Sequence, residues 1–224
     1  RLLLEAGGDP NETNAQGDTA LHWAVRRGHS AEIIRILINA GADIDAVRGD
    51  GRTAYAMAVV SGQTRVADVL KSLGADTRLS PLDTFVAGQD SEVPAASALS
   101  PENARLLTQL AESGNRDAVA NLIKAGVPVG ARGDGGITAL HYAAWRGDAG
   151  MMKLLIDAGA PLDVRDNMYN APPSGFLHHG ATHYGHGDYA QGARLLIAAG
   201  AGDWDKPSGN PAMDAVLREK GLIK

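Results

Sequence analysis

Glycines and threonines return along this 224-residue chain at a stride of 33 or 34. Thr19 recurs as Thr53 and Gly28 as Gly62, while Gly114, Gly147 and Gly180 follow one another at 33, as do Gly126 and Gly159. A constant stride of this length marks an array of small units, none of which can bury its apolar face without a neighbour. The clearest copy runs Gly136-Ile137-Thr138-Ala139-Leu140-His141-Tyr142-Ala143-Ala144-Trp145-Arg146-Gly147, followed by Met151, Met152, Leu154 and Leu155 and closed by Ala158-Gly159-Ala160. Thr138 is placed to cap a helix whose buried side is Leu140, Ala143 and Ala144, at helical spacing. Gly147 ends that helix, because a left-handed residue there satisfies the last carbonyls, and Gly159 ends the second helix in turn. Aromatic residues are only 4% of the chain, so the core has to come from Ala, Leu, Ile and Val, which suits thin, closely packed helix pairs.

The pattern Gly-x-Thr-Ala-Leu-His-x-Ala-x-x-x-Gly is similar to the ankyrin consensus. It is strong at 17–45 and 136–163, recognisable at 51–76, and weaker at 101–130 and 171–201, where the Thr-x-Leu-His element is missing. The resemblance implies an all-α fold, a helical repeat solenoid of stacked ankyrin-type helix–turn–helix units with one degenerate central unit. It further implies an L-shaped stack in which β-turn fingers and first helices line a concave face. Three blocks follow: 1–77, 78–100 and 101–224. The first begins mid-repeat, since Leu2-Leu3-Leu4-Glu5-Ala6-Gly7 matches Ile36-Leu37-Ile38-Asn39-Ala40-Gly41. The last ends in a lone helix from Pro211 to Lys220, expected to close the apolar end of the stack.

Two stretches break the pattern. In 78–100, Ser80-Pro81-Leu82 imitates the usual finger-to-helix passage, but Asp83 stands where His is expected and Asp90-Ser91-Glu92-Val93-Pro94 interrupts the second helix. Leu99-Ser100-Pro101-Glu102 then restarts a helix. This block is a degenerate unit or a flexible linker, and the apolar Leu79, Leu82, Phe85, Val86 and Leu99 favour a packed segment. The second break lies in the last full unit, where Gly180 and Gly200 are 20 residues apart rather than the 12 between Gly147 and Gly159. The added residues are expected between the two helices, from Ala181 to the approach to Asp188. They carry His183 and His186 close to His178 and His179. Long His- and Gly-bearing insertions of this sort resemble those of bacterial ankyrin sequences.

In the ankyrin pattern the positions after His and just before Gly face the groove. Here these are Trp23, Arg26 and Arg27, then Met57, Val60 and Ser61, then Tyr142, Trp145 and Arg146, then His178 and His179. Trp, Tyr and Arg are the side chains that most often anchor interfaces. Trp23 and Tyr142 equally suit packing between neighbouring first helices, since large aromatics are mostly buried, whereas Trp145 beside Arg146 fits partner binding best. The histidines form a second candidate. His178, His179, His183 and His186 with Asp188 contain enough imidazole and carboxylate to hold Zn²⁺ or another divalent metal, against the alternative of a polar surface loop. His22 and His141 read as structural, their rings bonding backbone groups between turns. Arg-Gly-Asp occurs at 48–50, 132–134 and 146–148, a recurrence that repeat geometry explains.

A net charge of −5 gives no basic field for a nucleic-acid backbone. No apolar run is long enough to insert in a membrane, and the absence of cysteine excludes disulfides and thiolate metal sites. Phosphate-loop, nucleophile-elbow and His-Glu-x-x-His signatures are also missing. The expected function is therefore binding of a protein partner through groove and finger tips, without enzyme activity or a resident cofactor, by a monomer or a part of a larger chain. A metal- or small-ligand-binding protein built on 178–188 is the alternative.

Overall fold

Several of the short helices in this chain start where a small polar side chain takes up a free N–H of the first turn. Thr53 accepts from the Ala56 N–H, Asn115 from Ala118, Asp148 from Met151 and Asn210 from Met213, each bond satisfying a donor that has no partner within the helix. Gly147 ends its helix in the left-handed region, at φ 63°. A computed structural model of the chain describes residues 7–94, 101–202, 204 and 206–224. Those residues hold helices and turns, with an isolated antiparallel bridge between Arg132 and Thr138.

The chain divides into two compact units, Arg1–Ala98 and Leu99–Lys224. The first contains α1 (Ala20–Arg26), α2 (Ala31–Asn39), α3 (Ala54–Val60), α4 (Thr64–Ser72) and α5 (Pro81–Val86). Each first helix packs on its own second helix and on the next first helix, α1 on α2 and α3, then α3 on α4 and α5. Leu21, Val25, Ile34, Met57 and Leu70 form the apolar seam. The second unit contains α6 (Pro101–Ser113), α7 (Arg116–Lys124), α8 (Ala139–Arg146), α9 (Ala149–Asp157), α10 (Pro173–His183), α11 (Tyr189–Ala198) and α12 (Pro211–Glu219). The same neighbour-only packing continues from α6 to α11, and α12 lies on α11. Helix α12 buries Met213, Val216 and Leu217 and leaves Arg218, Glu219 and Lys220 in solvent. The architecture is the helical repeat solenoid expected from the stride.

Loops are tied unit to unit by side-chain oxygens. Asn11 Oδ1 accepts the Asp43 N–H at 2.7 Å, and 34 residues later Asp45 Oδ1 accepts the Asp76 N–H at 2.8 Å. Asp43, Asp45 and Asp76 are thus turn residues that join one loop to the next.

Buried charges link the first unit internally. Arg48 Nε lies 2.9 Å from Asp18 Oδ1 and 3.5 Å from Asp50 Oδ1, while Arg52 reaches Asp50 Oδ2 with Nη1 at 3.2 Å and Asp83 Oδ1 with Nε at 2.7 Å. Ser80 closes the chain, its hydroxyl donating to Asp83 Oδ2 at 2.7 Å. All five charged side chains are at most 5% exposed. The described part of 78–100 is accordingly packed. Leu82, Phe85 and Val86 are buried, and Asp83 uses the histidine position to bind the preceding finger. Residues 87–94 form no second helix, and Val93 is exposed. The partial helix expected at 2–6, and Leu99 and Ser100, lie outside the described residues.

Two expectations about the last full unit need correction. The added residues do not all lie between helices, because α10 runs on to His183, making 11 residues against 8 in α8. Gly180 therefore does not terminate a helix. It is buried inside α10, where a Cβ would collide with the Trp145 carbonyl and press on the Tyr189 ring. The loop that remains, Tyr184 to Gly187, folds back so that the Asp188 N–H donates to the Gly147 carbonyl at 2.9 Å. Asp188 then caps α11 by accepting the Gln191 N–H at 3.0 Å.

Candidate partner-binding surfaces

The Thr-Ala-Leu-His element positions each first helix through its histidine. In α8, the Thr138 N–H donates to His141 Nδ1 at 3.1 Å, and His141 Nε2 lies 3.2 Å from the Ala171 carbonyl in the next finger. His22 repeats this with the Thr19 N–H at 3.2 Å and the Arg52 carbonyl at 3.3 Å. Because Nδ1 accepts, Nε2 carries the proton and the ring is neutral. Burial pushes both imidazoles below their ordinary value, outweighing the backbone carbonyls that favour the charged form. A base with a depressed folded pKa stabilises the fold fully above its unfolded value, near 6.5, and loses that contribution as the pH falls toward the folded value. The melting temperature is thus expected to drop between pH 7.5 and 5, and to drop less in a His22→Gln/His141→Gln variant. Equal slopes for the two proteins would refute the assignment.

On the outer side of these helices, the predicted groove residues divide. Trp23 is half-buried with the guanidinium carbons of Arg26 and Arg27 at 5.0 and 5.4 Å from its ring centroid, within cation–π range. Trp145 is half-buried and meets Tyr184 edge to face at 5.1 Å. Tyr142 and Ser61 are half-buried. Met57 and Val60 are not groove residues. Both are buried, at 4% and 1% exposure, and Met57 Sδ accepts from Arg48 Nη1 at 3.5 Å in the core. At Met57 the space is taken by Arg48 from the preceding finger. Arg146 is exposed but works as a strap. Its Nη1 donates to the Glu112 carbonyl at 3.1 Å and the guanidinium lies over Gly114.

The histidines do not form one cluster. His178 Nε2 donates to the Pro207 carbonyl at 2.8 Å, while Thr182 next to it donates to the Ser208 carbonyl at 2.7 Å. His179 and His183 are exposed and stacked, with ring centroids 4.1 Å apart. His186 is exposed in the loop, and Asp188 is committed to its helix cap. Among the described residues no three His, Asp or Glu side chains converge as metal ligands. The five residues proposed together from the sequence are spread over a helix, a loop and a cap.

Sequence reasoning missed the finger of the last full unit. Met168 and Tyr169 are 68% and 73% exposed at its tip. Asp166 holds them there by accepting the N–H groups of Met168 at 2.7 Å, Tyr169 at 2.8 Å and Ala171 at 2.9 Å. Burial opposes ionisation of this carboxyl, but the three donors and His141 keep it below the usual carboxylate range. Asn170, at φ 52°, supplies the left-handed turn that glycine supplies elsewhere. The available signal was length, since the Asp166-to-Ala171 closure holds one residue more than Arg48-to-Arg52.

Comparison with known proteins agrees with this architecture. The sequence matches the family descriptions Ankyrin repeats (3 copies) over residues 1–80 and Ankyrin repeats (many copies) over 107–156. It is 34% identical over 162 residues to the probable E3 ubiquitin-protein ligase XBOS33 of Oryza sativa subsp. japonica, across 71% of this chain and 28% of the ligase. It is 32% identical over 162 residues to the E3 ubiquitin-protein ligase XBAT33 of Arabidopsis thaliana, across 71% of this chain and 26% of that protein. The nuclear factor NF-kappa-B p105 subunit of Gallus gallus is 39% identical over 77 residues, 34% of this chain and 8% of that subunit. The chain thus spans under a third of the length of these relatives, which come from plants and an animal and lend no support to a bacterial subtype. With helix pairs at an even stride, histidine-bridged fingers and these matches, the chain belongs to the ankyrin-repeat family.

Proposed function

We propose that the chain is a protein-recognition module without catalytic activity, and that its second unit binds a partner through Trp145, Tyr184 and the finger tip at Met168 and Tyr169. The observation that carries this reading is the finger itself, two large exposed side chains on a turn whose backbone is held by three hydrogen bonds to one carboxylate. Ordering is thereby completed before binding, which lowers its entropic cost. Tyr and Trp are also the residues in which binding energy concentrates. Ankyrin repeats are typical protein–protein interaction modules, which supports the class of partner. In the first unit Trp23, flanked by Arg26 and Arg27, suits an acidic or aromatic side chain.

The test is a comparison of captured proteins from a lysate of the source organism, using the wild-type chain and a Tyr169→Ala/Tyr184→Ala variant as bait. Both tyrosines are exposed, so the melting temperature is expected to stay nearly constant, as for most surface substitutions. A stoichiometric partner of the wild type should bind the variant at least about tenfold more weakly. Equal retention by both baits would overturn the placement. Arg146 is left out because its removal breaks the strap to Glu112 and would confuse binding with stability.

A further inference from the structure

We infer that His179 and His183 form a two-imidazole chelate for a borderline divalent transition ion such as Cu²⁺, Ni²⁺ or Zn²⁺. Their spacing of four puts both rings on one face of α10, as two ligating histidines are placed in helical zinc motifs. The two rings are already in contact, with centroids 4.1 Å apart, and they must turn out of their stack for both in-plane lone pairs to meet one ion. The backbone selects the nitrogen that would bind. His183 Nδ1 lies 3.0 Å from the His179 carbonyl, and a carbonyl oxygen can only accept, so Nδ1 carries the proton and Nε2 keeps its lone pair. An N–H donated to a carbonyl is also the usual outer support of a metal-bound histidine, fixing ring and tautomer together. Both rings are exposed, which gives an ion direct access.

The neighbours explain why the site has two protein ligands. His178 is turned toward Pro207 by its own hydrogen bond, and Asp188 holds the first turn of α11. Water or a ligand from outside fills the remaining coordination positions. Such an open site is modest in affinity and follows the general order of divalent ions, with Cu²⁺ held more tightly than Zn²⁺. The inference goes beyond the protein-recognition reading and stands or falls separately from it.

The experiment is calorimetric titration of the full chain, free of any purification tag, with Cu²⁺ and with Zn²⁺. One ion per chain is expected, with Cu²⁺ the tighter. His179→Gln and His183→Gln should each weaken binding at least about tenfold, while His178→Gln and His186→Gln leave it unchanged. Melting curves confirm that all four variants remain folded. The proposal is overturned if the wild type takes up neither ion saturably, or if uptake survives loss of His179 and His183 and follows His178 or His186 instead.

Discussion

Replacing Arg52 by leucine is expected to destabilise the first unit by about 3–5 kcal/mol, the usual cost of stripping one partner from a buried ion pair. The guanidinium stands between Asp50 at 3.2 Å and Asp83 at 2.7 Å, and all three side chains are at most 5% exposed. Leucine fills much of the volume but leaves two carboxylates with weakened compensation in a site that water reaches poorly. Asp83→Asn should cost less, because Arg52 retains Asp50 and the amide oxygen still accepts. Hydrogen exchange of the full chain, read in peptides covering α3 and α5, measures the change where it occurs. Protection in those peptides equal to that of the wild type would show that the buried charges contribute nothing.

Gly180→Ala should destabilise the second unit. In an unconstrained helix interior the change from glycine to alanine stabilises by about 1 kcal/mol, so the sign of the effect is diagnostic. At Gly180 the new methyl would collide with the Trp145 carbonyl, which is backbone and cannot turn aside, and with the Tyr189 ring. Helices α8 and α10 must then separate, and overpacking of this kind costs about 1–3 kcal/mol or more. Gly185→Ala is the control. Its φ is 63° and no atom lies within 4 Å of a Cβ there, so it meets backbone strain of about 1–2 kcal/mol without crowding. Urea unfolding of the two variants separates the effects, and a Gly180→Ala protein more stable than the wild type would contradict the packing described here.

Gly180 also shows where a stride stops being informative. The repeat was legible because glycines, caps and apolar positions act within a few residues of one another, and such local signals survive in a one-dimensional string. Position 180 keeps the stride but changes its work, from ending a helix to admitting a neighbour. Its reason lies in Trp145 and Tyr189, which no local window contains. Met57 and Val60 are likewise buried where the pattern put them in the groove, and for Met57 the contact is with Arg48, nine residues earlier in the preceding finger. Asp83 was visible as a departure from histidine, but its role required Arg52, 31 residues earlier. The histidines drew attention by composition, while the structure divides them among a backbone tie, a stacked pair and an exposed loop. Met168 and Tyr169 carry no motif at all, and the turn that bears them differs from the others by one additional residue.

The loop oxygens at Asn11 and Asp45 have a consequence for how such a chain can change in length. Each accepts an amide from the loop one unit further on, and the two stand 34 positions apart doing the same work. Removing or duplicating a complete unit therefore brings an equivalent oxygen to an equivalent amide, and the thread joins again. An indel between Asn11 and Asp76 that moved either oxygen away from its amide would break that tie. Change by whole modules therefore preserves these two ties without any other adjustment.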